Sequence, residues 1–202
     1  MSTLINEEIT TNTPEKSLVV TMRKNGTEAQ VAKVRDFIKG SNGESISFQS
    51  FFPMPENLTG KSNVNYEFGG RTIPIPDWMD WRFKHWGTKW DAMPVEDDTI
   101  NAANRIIFNT ASTTPDLAIA MLAVAFPEVS FNVIFSDEYP GEYSGEYTFA
   151  GGGEELEWNC LTDDSDEAME YYFLSHEYDR ENWKKDEDGT WVNINDEDYD
   201  EE

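Results

Sequence analysis

Histidine, cysteine and clustered carboxylates are the side chains that could carry chemistry in this 202-residue chain, and they are unevenly supplied. The two histidines are His85, set among tryptophans, and His176, set in an acidic stretch. Acid–base or metal chemistry would need each ring fixed by a partner, and neither stands at a motif spacing. A structural or exposed role is the expectation for both. Cys160 is the single cysteine, so no internal disulfide forms; it ends an expected strand and is expected to be buried and inert. No nucleophile elbow, phosphate loop, dinucleotide glycine pattern or zinc-helix motif occurs. Residues 184–195 imitate a calcium loop around Gly189. That register puts Lys184 at the first ligand position and Asn195 where a bidentate Glu is required. No catalytic residue, cofactor or metal ligand is expected, and the chain reads as a binding protein.

Charge is the strongest signal, with 40 Asp and Glu against 15 Lys and Arg, a formal net charge of −25. Residues 154–202 alone hold 20 acids and 3 bases. A field of this sign repels nucleic acid and anionic membranes and speeds encounter with a basic protein surface. A helix expected over 166–183 strings Glu167, Glu170, Glu177, Asp179 and Glu181 along an anionic ridge, with Tyr171, Tyr172 and Tyr178 interleaved. Duplex DNA carries one charge per ~1.7 Å of axis, so the ridge suggests mimicry of nucleic acid toward a host protein with a basic groove. A merely solvated face is the plainer reading of the same residues.

The segment 78–90 packs four tryptophans into thirteen positions. Trp81, Trp86 and Trp90, with Trp78, either wrap the open side of a sheet or anchor a protein partner. In the second case the protein is an adaptor or assembly factor, and its acidity serves solubility alone.

The elements that must position these groups follow from the local pattern. Residues 17–23 read as a strand stopped by Asn25-Gly26, and Thr27 caps a helix carrying Val31, Val34, Phe37 and Ile38. Residues 45–52 alternate as a strand does and end at Pro53. Residues 56–80 are rich in glycine and proline and read as an irregular part of an insertion over 56–100. A strand over 104–111 leads to a helix capped by Thr114 and running to Phe126, and strands follow over 129–135, 145–150 and 155–160. Residues 161–195 read as an acidic helical extension on the same domain, with a turn over 186–189 and a short strand over 190–194. Residues 1–16 read as a flexible leader and 196–202 as a disordered acidic tail. The most apolar run, 117–126, is shorter than the ~20 residues a membrane span needs, and with no signal-peptide pattern a cytoplasmic protein is expected. The order of elements indicates an α+β domain, a split βαβ sandwich of the ferredoxin-like kind with an antiparallel sheet.

The strings FFPMPENL over 51–58, WGTKWDA over 86–92 and FNTAS over 108–112, the last followed by Pro115 and a helix to Phe126-Pro127, carry a family likeness. Over residues 17–150 the chain resembles a family of uncharacterised ferredoxin-like proteins carried by plasmids and bacteriophages. The resemblance implies a ferredoxin-like fold and a mobile-element origin. It implies no activity and no site residues, and the acidic block after Gly153 lies beyond it.

Overall fold

The structure is a computed structural model that describes residues 17–58, 60–95, 104–111, 113–161 and 165–195. The leader, the acidic tail, and Asp163 and Asp164 lie outside the described residues. Strand β1 (Ser17–Asn25) buries Leu18, Val20 and Met22 completely on one face, as its alternation requires. Helix α1 (Glu28–Ile38) opens on a capping box: the Thr27 hydroxyl accepts from the Gln30 N–H, and the Gln30 side chain accepts from the Thr27 N–H. Its buried stripe is Val31, Val34 and Ile38, while Phe37 stays 45% exposed.

The next segment departs from its pattern. Residues 45–52 do not form a strand; Phe48–Phe51 is a one-turn helix, α2, capped by Ser47. The cause lies 43 residues further on. The carboxylate of Asp91 accepts from the Phe48 N–H at 2.5 Å, from the Ser47 hydroxyl at 2.8 Å and from the Gln49 N–H at 3.4 Å, and so takes up amide groups a helix start leaves free. Residues 56–80 are also more regular than their composition predicts. Strands β2 (Asn63–Phe68) and β3 (Arg71–Pro76) pair as a hairpin across Gly69-Gly70, both at positive φ, and run straight into helix α3 (Asp77–His85). The ribbon has only two strands, so Pro74 and Pro76 can turn their missing N–H away from the partner.

The main sheet adds β4 (Met93–Pro94), β5 (Arg105–Ala111), β6 (Ser130–Asp137), β7 (Gly145–Phe149) and β8 (Glu155–Cys160), with helix α4 (Asp116–Ala125) between β5 and β6. Its order is β4-β5-β1-β6-β7-β8, and every neighbouring pair is antiparallel. Strands β5 and β6 therefore run the same way with β1 between them, and α4 makes the crossover. The chain is an α+β fold on an antiparallel sheet. Thr114 does not cap α4; Pro115 stands at that position, and the Thr114 hydroxyl donates instead to the buried Tyr147 hydroxyl at 2.9 Å.

The core lies between one sheet face and the layer of α1 and α4. Phe108, Phe131, Val133, Phe135 and Tyr147 meet Val34, Ile38, Ile119 and Leu122, with Phe48 and Trp86 filling the end. Helix α5 (Asp166–His176) covers part of the other face, where the Ser136 and Ser175 hydroxyls bond. It does not continue to residue 183. Glu177 turns left-handed at φ 56°, and the chain doubles back through a 3-10 turn (Arg180–Asn182) into the hairpin β9 (Trp183–Lys185) and β10 (Trp191–Asn193). The reversal seats Trp183 and Trp191 against Met169, Tyr172 and Phe173 of α5. That second small core is what ends the helix where the sequence carries no glycine stop.

Candidate partner-binding surface

The five carboxylates expected on one ridge are distributed by the early end of α5. Glu167 and Glu170 are exposed on the helix, opposite its buried Met169, Tyr172 and Phe173. Glu177 is the left-handed residue, Asp179 caps the 3-10 turn by accepting from the Glu181 N–H at 3.0 Å, and Glu181 lies within that turn. A continuous helical ridge is therefore absent. Two of the five carry a cation: Arg180 donates to Glu170 and Arg105 to Glu177, each at 2.7 Å. At such exposure these pairs contribute little, about 0–1 kcal/mol each.

A different acidic surface forms around Glu167 from two residues that sequence reasoning passed over, Glu146 and Glu157. The register of β7 and β8 turns Glu146 and Glu157 to the face that α5 covers, because their neighbours Tyr147 and Trp158 turn to the other. There they meet Glu167 around Tyr171. Burial raises the Tyr171 pKa first; a hydrogen bond to Glu146 and the fields of Glu146, Glu167 and Glu157 raise it further. Alternation along 145–149 and 155–160 was the available signal, but which face each row would occupy depends on α5.

The tryptophan segment is largely internal. Trp86 is fully buried and donates its indole N–H to the Phe52 carbonyl at 2.8 Å. Trp81 is half-buried and stacks on His85 with centroids 4.2 Å apart. Trp90, 37% exposed, stacks on Trp78, and the Arg82 guanidinium lies over Trp78, Trp86 and Trp90 at 5.1, 4.9 and 5.6 Å. Burial lowers the Arg82 pKa, opposed by Asp91. Trp86, Gly87 and Thr88 all serve packing: Gly87 holds φ +83° against α4, Thr113 donates to its carbonyl, and the buried Thr88 hydroxyl donates to Ala111.

Each histidine ring stands at hydrogen-bond distance from a backbone carbonyl of its own helix. His85 Nδ1 lies 2.7 Å from the Trp81 carbonyl. His176 Nδ1 lies 3.1 Å from both the Tyr172 carbonyl and the Ser136 hydroxyl, and 3.2 Å from Ser175; burial lowers its pKa. Ser136 and Ser175 are both buried, and Ser175 and His176 line a small cavity with Val19, Ile107 and Asn109. No three His, Cys, Asp or Glu side chains among the described residues converge on a metal position. Cys160, expected to be buried, is exposed because β8 is an edge strand. No helix among the described residues is long and apolar enough to cross a membrane. Compared with known proteins, the chain matches no family model, no curated protein and no solved structure.

Proposed function

We propose that this is a non-catalytic accessory protein of phage or plasmid type. In this reading it binds and inhibits a host nucleic-acid-handling protein, such as one of an anti-phage defence system, by presenting carboxylates to its basic groove in the host cytoplasm. The observation that carries the reading is the convergence of Glu146, Glu157 and Glu167, from two strands and a helix, on one face of a chain whose net charge is −25. Carboxylates fixed on a rigid sheet and helix present charge at set spacing, and complementary fields steer encounter. Glu170 lies on the same helix and extends the surface. The strand order β4-β5-β1-β6, with β5 and β6 parallel on either side of β1, supports the ferredoxin-like form of the fold. Docking through the tryptophan segment is the weaker reading, because Trp86 is buried.

The test is capture of nucleic-acid-binding proteins from a bacterial lysate at low salt, with elution by high salt and competition by duplex DNA. Glu157→Lys with Glu167→Lys should abolish capture while the circular dichroism spectrum is kept, since both residues are exposed. Capture that persists in this variant, or that duplex DNA does not displace, would sink the reading.

A further inference from the structure

We infer that the outer edge of β8 is a docking edge for an extended segment of the partner in which basic and apolar side chains alternate. The sign of the partner's charge rests on the reading just given; the edge itself rests on separate geometry. Strand β8 ends the sheet order, and among the described residues no strand pairs with its outer side. Its residues are exposed except Asn159, which is half-buried. An unpaired row of backbone donors and acceptors is a template for another strand.

The two faces beside that edge differ in kind. On the face under α1 and α4, the helices stop short of β8. Leu117, Met121 and Val124, at i, i+4 and i+7 of α4, are 40, 43 and 54% exposed, and Leu156 and Trp158 of β8 are 60 and 40% exposed. Tyr147 joins α4 to β8, bonded to Thr114 at the start of the helix and stacked on Trp158, and Gly153 lies against Val124. On the opposite face stand Glu157, Glu146 and Glu167. A strand added beside β8 sends successive side chains to opposite faces. One row would fall beside Trp158, the other beside Glu157.

A second copy of the chain fits poorly, because two β8 edges would bring like-charged Glu155 and Glu157 together between molecules of net charge −25. The same carboxylates, with the bulge opposite Thr148 and Phe149, guard the edge against self-pairing. A cationic strand meets no such barrier.

Isothermal titration of the full chain with synthetic ten-residue peptides tests the inference. The probes are alternating Lys and Val, the same composition in two blocks, and two alternating peptides N-methylated on the Lys or on the Val residues. The alternating peptide should bind about tenfold tighter than the block peptide. One N-methylated peptide, the one whose blocked N–H groups would face β8, should lose about tenfold, and Glu157→Lys should weaken the alternating peptide similarly. Equal binding by all four peptides, or by none, overturns strand addition. Equal binding that the charge reversal abolishes overturns the edge and leaves the acidic surface standing.

Discussion

The Trp158 indole lies parallel to the Tyr147 ring, with centroids 4.9 Å apart and 15° between planes. This contact joins the edge strand to the core, because Tyr147 is wholly buried and Trp158 is 40% exposed. Replacing Trp158 with Ala should cost about 1–2 kcal/mol in urea unfolding, less than the ~3–5 of a fully buried aromatic. A loss near the upper figure would mean that the edge strand is part of the main core.

Gly87 sets how closely α4 approaches the end of α3. A Cβ there would overlap the Asp116 carboxylate and crowd the Thr114 carbonyl, at a φ of +83° that disfavours any side chain. Gly87→Ala should therefore destabilise by about 2–3 kcal/mol, against about 1 kcal/mol for Gly69→Ala, whose Cβ meets nothing. Equal shifts in the two urea midpoints would show that backbone strain alone matters.

Lys24 is 1% exposed, and burial, with the positive Arg35 nearby, lowers its pKa from 10.5 to about 8. Between those values the unfolded chain holds a proton that the folded chain has released, so this group makes stability rise with pH. Lys24→Met should be more stable than the parent at pH 7 by about 1–3 kcal/mol, with the advantage shrinking toward pH 10.5. A difference that does not change between pH 7 and pH 10.5 would contradict the assignment.

His176 is lowered by burial, so the unfolded chain takes up its proton first as pH falls. Stability should decline from its ordinary value near 6.5 downward until the folded state also protonates. His176→Gln should flatten the thermal-midpoint profile between pH 7 and 5.5; a profile with unchanged slope would place the decline on other groups.

Local patterns made much of this fold legible. Alternation marked β1, β5, β6, β7 and β8 to within a few residues, and Thr27 with Gln30 marked the start of α1, because strands and capping boxes are fixed by neighbours in sequence. The acidity was legible in full, since charge is a property of composition. Tertiary contacts decided the rest. Asp91 draws residues 48–51 into a helix that their alternation opposes, and Trp183 and Trp191 fold back on α5 and cut it at His176. The position of α5 over one face and of the core on the other assigns Glu146 and Glu157 to an acidic side and Trp158 to an apolar one. Sequence fixes which residues share a row of a strand, but only the layers packed above and below a sheet determine which row meets solvent.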